Sequence, residues 1–178
     1  MKEKVFVINI DNCVRCHSCE VACREEHGLS LVSGAKRCEV ITIGPRLVGN
    51  ELTMDFVPML CFQCEEAFCL YSCPVNAISK RLDGVIAIDK GLCIGCKICT
   101  GACPYGNMYF NEMENVPEKC DQCSERTARG SEPACVQHCI GGALWYIDRD
   151  KLEDMDCGKH WATFGTVKYF SHKWRLNF

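Results

Sequence analysis

The sequence has no G-x-G-x-x-G, no G-x-x-x-x-G-K-[ST] and no H-E-x-x-H, which removes a dinucleotide cradle, a triphosphate loop and a zinc-hydrolase helix from consideration. Catalysis by this chain alone is therefore not expected. No run of 18 apolar residues is available to span a bilayer as a helix. The opening MKEKVFVINID has no basic stretch leading into a long apolar one and no twin arginine; it starts at once on an alternating strand pattern. A reduced, soluble, cytoplasmic chain is expected. With a formal net charge of −3, nucleic acid is not an expected partner.

What the sequence has in excess is cysteine. Sixteen of its 18 cysteines fall into four groups: CVRCHSCEVAC (Cys13, Cys16, Cys19, Cys23), CFQCEEAFCLYSC (Cys61, Cys64, Cys69, Cys73), CIGCKICTGAC (Cys93, Cys96, Cys99, Cys103), and CDQC with CVQHC (Cys120, Cys123, Cys135, Cys139). The first and third keep the bacterial ferredoxin spacing, in which three thiolates converge on one [4Fe-4S] cube and the fourth reaches a neighbouring cube. Four groups supply ligands for four cubes. The apolar share of 48% counts all 18 cysteines, and without them it falls to roughly 38%, below the usual range. So thin an organic core implies that cluster binding is part of the folding energy, and the apo-protein is expected not to fold.

Other uses of cysteine fit less well. A secreted disulfide scaffold would need an export signal that the first residues do not show. Zinc would use two separated C-x2-C pairs, as Cys120/Cys123 with Cys135/Cys139 could, but three cysteines at even spacing are superfluous for a tetrahedral site. CVRCH matches a c-type haem attachment pattern, yet Cys19 and Cys23 complete the ferredoxin motif with the same cysteines. The C-x3-C-x2-C arrangement of radical-SAM proteins is absent, because here the gap of three always closes a group.

The chain repeats itself. A shift of 80 residues superposes Val5 on Val85, Ile8 on Ile88, and the first cysteine group on the third. The second group aligns with the fourth, Gln63 falling on Gln122. Three thiolates on a tight loop cap three irons from one side, so the fourth iron needs a ligand from another element. Reciprocal pairing then gives Cys61, Cys64, Cys69 with Cys103; Cys93, Cys96, Cys99 with Cys73; Cys13, Cys16, Cys19 with Cys139; and Cys120, Cys123, Cys135 with Cys23.

The fold class expected is α+β: a duplicated bacterial-type 2[4Fe-4S] ferredoxin with a pseudo-two-fold repeat and short strands and helices around four cubes. Residues 61–103 form a contiguous inner unit, residues 1–60 with 104–150 a discontinuous outer unit, and residues 151–178 an aromatic-rich tail. Strands are predicted over 4–10, 39–43, 52–57, 77–80, 85–89, 108–111 and 143–147, with an Asp83-Gly84 hairpin turn. Helices are predicted over 17–26, 65–72, 98–102 and 133–139. The stretch 34–49 reads as a surface loop.

On these cysteines, whose joint spacing is specific over residues 4–151, the chain resembles the four-cluster, ferredoxin-like iron-sulfur subunits of molybdenum and tungsten bis-pterin oxidoreductases, the dimethyl sulfoxide reductase type among them. The resemblance implies a relay of electrons to or from a large pterin-bearing catalytic subunit, with a further electron-input or electron-output subunit as a second partner and no membrane span of its own. Similar subunits serve hydrogenase and formate systems, tungsten aldehyde oxidoreductases and class II benzoyl-CoA reductases. The shortness of the chain tilts the expectation toward the last two. A free-standing polyferredoxin is the alternative.

The remaining residues tune or dock. Sixteen thiolates and four oxidised cubes would bring the chain from −3 to about −11, so basic residues beside the sulfurs matter. Arg15, His17 and Lys97 lie inside ligand loops, and either raise a potential or face solvent. His138 adjoins Cys139 and is read as a satisfied histidine. Trp161, Phe164, Tyr169, Phe170, Trp174 and Phe178, with His160, His172, Lys173 and Arg175, either dock a partner or pack back on the core. Cys38 reads as a small hydrophobe opening a strand, and Cys157, close to Lys159 and His160, is assigned no chemistry.

Overall fold

Val5 to Ile8 sit in the first strand, β1 (Lys4–Asn9), and all four are at most 3% exposed, so the strand is buried on both faces. The computed structural model describes residues 4–157 and 160–172. Phe6 and Ile8 enter the main core, while Val5 and Val7 enter a separate apolar layer with Cys157 and Phe170. The alternating pattern expected for a strand with one wet face does not hold here, because the end of the chain supplies a second covering layer. Each of these side chains contributes about 1.5–3 kcal/mol through its burial.

The elements that follow β1 are short, apart from one hairpin. They are α1 (Ser18–Glu26), the long antiparallel pair β2 (Cys38–Val48) and β3 (Glu51–Leu60), α2 (Phe68–Tyr71), β4 (Ile78–Lys80), β5 (Ile86–Ile88) and α3 (Ile98–Ala102). Then come β6 (Tyr109–Asn111), β7 (Val116–Glu118), α4 (Ser124–Ala128), α5 (Ala134–Gln137), β8 (Leu144–Asp148), β9 (His160–Phe164) and β10 (Val167–Ser171). The result is a mixed α and β structure, in which one four-stranded sheet, ordered β8-β1-β10-β9, is accompanied by the hairpins β2-β3, β4-β5 and β6-β7.

The strand predicted over 39–43 is present and longer than expected, so the stretch 34–49 is not a surface loop: β2 runs through most of it and pairs with β3 from Cys38↔Leu60 to Val48↔Glu51, with a register shift between Ile43 and Arg46. Its apolar alternation, with Val40 and Cys38 buried, outweighs the glycines and the proline. The helix predicted over 65–72 shrinks to the single turn of α2. β7 and α4 are absent from the sequence expectation, each being too short to display a period. The Asp83-Gly84 turn joins β4 and β5 as expected, with Gly84 at φ +82° and its amide donating to the Arg81 carbonyl.

The last described segment folds back. β10 pairs with β1 in parallel, Phe6 opposite Val167 and Asn9 opposite Phe170, and with β9 in antiparallel. Tyr169 is fully buried and donates its hydroxyl to the Pro58 carbonyl across 2.9 Å. Trp161 stays exposed. Lys159, Lys173, Trp174, Arg175 and Phe178 lie outside the described residues.

Candidate metal centres

Each cysteine loop is curled by residues in the left-handed region. Arg15, His17, Gln63, Lys97, Gln122 and Cys123 all have φ between +49° and +62°, and Gly95 joins them at +68°. Such turns point backbone N–H groups into the concave side of the loop, where they favour anionic sulfur. Ala77 and Ala143 donate to the Cys73 and Cys139 sulfurs at 3.2 and 3.1 Å, and Gln122 to that of Cys120 at 3.4 Å.

Three cavities result. Cys13, Cys16, Cys19 and Cys139 line one, with Val40, Pro58 and Leu144. Cys73, Cys93, Cys96 and Cys99 line another, with Ile78, Ile88 and Pro117. Cys61, Cys64, Cys69 and Cys103 line the third, with Ile86, Met108 and Lys119. Cys23, Cys120, Cys123 and Cys135 are all buried and near enough to act on one another: Cys123 raises the Cys23 pKa, and Cys23 raises those of Cys120 and Cys135. Among the described residues no group of three or more His, Cys, Asp or Glu is drawn tightly enough together to hold a metal ion; the sulfurs ring cavities instead.

The donor set fits iron-sulfur cubes. Burial pushes the Cys23 thiol up to about 12 and the Cys69 and Cys99 thiols up to about 11, with neighbouring cysteines adding to the rise. Thiolates so placed need strong cationic partners. A cube supplies these through iron and accepts the surrounding N–H groups at its sulfurs.

Several residues around the sulfurs carry no signal inside the cysteine motifs. Lys119, 3% exposed, donates to the Cys120 carbonyl at 2.9 Å and lies 3.4 Å from the Gln63 side-chain oxygen. Its charge opposes the burial that raises Cys64 and Cys69. Gln63 donates to the Cys120 carbonyl at 2.7 Å and accepts from the Ile86 amide at 2.8 Å. Cys38 is more than a small hydrophobe: its thiol, raised well above the ordinary value, hydrogen-bonds Cys19 and pulls the Cys19 pKa down. His27 lies 3.4 Å from the Cys123 sulfur, and its pKa is lowered by burial and by Arg37. Lys119 and Arg37 each directly precede a cysteine, the one trace of them in the sequence.

The residues singled out inside the loops are placed differently. Lys97 is exposed; its ammonium binds Glu112 at 2.7 Å and covers the Phe110 ring. Arg15 covers Phe56, and His17 pairs with Glu20 at 3.0 Å while lining the Cys13 cavity. His138 bonds the Ala134 carbonyl at 3.0 Å and is satisfied. Cys157 packs in the apolar layer behind β1.

Curled thiolate loops of this kind, ringing cavities, are those of an iron-sulfur electron-transfer protein. The chain belongs to the 4Fe-4S dicluster domain family, which it matches over residues 52–149. It is 36% identical to a chain of the polysulfide reductase of Wolinella succinogenes, over 83% of this chain and 78% of the other. It is also 36% identical to the electron transfer subunit of the thiosulfate reductase of Salmonella typhi, over 79% and 73%. Against a chain of the anaerobic dimethyl sulfoxide reductase of Escherichia coli the identity is 34%, over 83% and 74%. None of the described helices is long and apolar enough to cross a membrane.

Proposed function

We propose that the chain is the electron-transfer subunit of a molybdenum or tungsten bis-pterin oxidoreductase and relays electrons through four [4Fe-4S] clusters. The ligand sets are Cys93, Cys96, Cys99 with Cys73; Cys61, Cys64, Cys69 with Cys103; Cys120, Cys123, Cys135 with Cys23; and Cys13, Cys16, Cys19 with Cys139. The observation that carries this reading is the lining of three cavities, each by three cysteines of one group and a single cysteine of another. The clusters supply one-electron redox chemistry; the protein's residues hold them, exclude water and set their potentials.

The same contacts support a linear order. Cys61 acts electrostatically on Cys120, and Cys19 on Cys135, which favours an order with the sets containing Cys61 and Cys120 side by side and the set containing Cys13 beyond them. The outermost sets contain Cys16 and Cys96, the two exposed cysteines. Exposed Val14, Val21 and Ile140 flank one, and exposed Ile94 and Ile98 the other. These faces are the entry and exit for electrons, one toward the pterin subunit and one toward a further electron carrier.

A duplicated ferredoxin fold is the architecture we infer. In the inner unit, residues 61–103, the strand before one cysteine group, β5, pairs antiparallel with the strand after the other, β4. In the outer unit, residues 1–60 with 104–150, β1 and β8 stand in the same relation. Of the tail, residues 151–178, β10 closes the outer unit by pairing with β1. So many ligand thiolates suit a reducing, cytoplasmic setting.

Native purification tests the reading. Iron near sixteen per chain, together with molybdenum or tungsten in a co-purifying large subunit, is the expected result. The metal and substrate of that subunit then separate a sulfur-compound or sulfoxide reductase, to which the relatives' names point, from a tungsten aldehyde oxidoreductase or benzoyl-CoA reductase. A monomer that purifies alone, free of both metals, would instead mark a free-standing polyferredoxin.

A further inference from the structure

His27 follows directly on α1, the helix that carries Cys19 and Cys23, and its amide donates to the Cys23 carbonyl at 3.2 Å. Both ring nitrogens have partners. Nδ1 lies 3.0 Å from Nη1 of Arg37, and Nε2 lies 3.4 Å from the sulfur of Cys123, with Asp121 Oδ1 at 3.8 Å. A guanidinium has only donors, so Nδ1 must accept, and the one proton of a neutral ring then sits on Nε2. That proton is directed at the Cys123 sulfur.

The arrangement is held from behind. Arg37 donates Nε and Nη2 to one oxygen of Glu118 at 2.8 and 2.7 Å, and its Nη1 reaches Asp121 at 3.1 Å. The Glu118 side chain is 2% exposed, and its other oxygen lies 2.7 Å from Lys90. Arg37 therefore cannot turn away from the imidazole without weakening the pairing of a buried carboxylate.

We propose that His27 is a positioning and tuning residue: a neutral imidazole whose Nε2–H donates to the Cys123 sulfur and raises the reduction potential of the cluster held by Cys23, Cys120, Cys123 and Cys135. Reduction adds one electron and one negative charge to that cluster, and no proton moves; the fixed N–H dipole stabilises the reduced form more than the oxidised one. Arg37 and Glu118 act through His27 by selecting its tautomer. The proposal rests on the four-cluster reading given above.

Two measurements on the whole, loaded protein test it. In pulsed electron paramagnetic resonance of the reduced protein labelled with 15N-histidine, one cluster should show a nitrogen coupling that His27→Leu abolishes and His17→Leu leaves. In redox titrations followed by the same spectroscopy, His27→Leu should lower one midpoint by about 59 mV, a tenfold change in the one-electron equilibrium, and His27→Gln, which keeps an N–H donor, should recover much of it. The Cys123→Ser variant identifies which signal belongs to that cluster. Full iron content in His27→Leu with unmoved midpoints would overturn the proposal, and so would equal iron loss in both His27 variants, which would make the residue structural. A wild-type protein with no signal that responds to Cys123→Ser would overturn the cluster assignment beneath it.

Discussion

Gln63 donates its side-chain amide to the carbonyl of Cys120 across 2.7 Å, and so joins two cysteine loops that stand 57 residues apart in the chain. Its oxygen serves the Ile86 amide at 2.8 Å and lies within reach of Lys119. One buried side chain thus ties the inner cysteine groups to the last one.

Replacing Gln63 by Leu should leave the Ile86 amide without its partner, while the Cys120 carbonyl keeps the Lys119 ammonium. A cost of about 1–3 kcal/mol for the one buried group left unpaired is expected. Denaturant unfolding of the loaded protein, followed by the loss of cluster absorbance, measures it.

Lys119 places a positive charge against the cavity of Cys61, Cys64, Cys69 and Cys103, and no described carboxylate pairs with it. Lys119→Met should lower the potential of that cluster by on the order of 50–100 mV, whereas Lys119→Arg should leave it close to its original value. Lys97→Met, whose ammonium is engaged by exposed Glu112, should shift no midpoint measurably. Redox titration of the three variants makes the comparison.

The contrast between these two lysines shows how far the sequence could be read. The cysteine groups are legible because ligand spacing is a local property; their pairing is proposed from the geometric rule that a fourth ligand must come from another element. Lys97 drew attention because it lies inside a motif; it lines the cavity of Cys93, Cys96 and Cys99, but its ammonium is engaged by Glu112 over the Phe110 ring. Lys119 and Arg37 lie outside the motifs, and only the three-dimensional approach of distant loops gives them a role. The stretch 34–49 misled in part for a different reason: the strand predicted over 39–43 holds, but Gly44, Pro45 and Gly49 suggested a loop beyond it, and the partner strand that carries β2 on to Val48 is not visible in the sequence.

Cys139→Ser and Cys23→Ser should each injure a cluster whose other three ligands lie at the far end of the chain. Iron near twelve instead of sixteen per chain is expected, with loss of the signal that responds to Cys13→Ser in the first case and to Cys123→Ser in the second. Losses confined to the neighbouring cysteines in sequence would argue against the reciprocal pairing.

Gly165 sits at φ +52° in the turn between β9 and β10, and a Cβ there would collide with the carbonyl of Phe62. Beside it, Thr166 donates its amide to that same carbonyl at 2.8 Å, and its hydroxyl accepts from Gln122 at 2.9 Å. Gly165→Ala should therefore lower stability by several kcal/mol and deplete iron, although no cysteine is touched. Thermal melts and iron assay of the purified variant check this.

Chelation of the iron should collapse the whole fold, since Cys19, Cys23, Cys120 and Cys135 form part of the main core. Loss of native circular dichroism and of a cooperative melt is the expected outcome. A cluster-free chain that still melted cooperatively would show that the organic core suffices.

The parallel pairing of β1 with β10 makes one strand the keeper of another's cover. β1 has one neighbour in β8 and its other in β10. Val5 and Val7 share their apolar layer with Phe170 and stay uncovered until β10 docks. Any state in which β10 has come away from β1 therefore bares a continuous apolar strand with an unpaired edge, and such a state is prone to aggregate even with every cysteine loop intact.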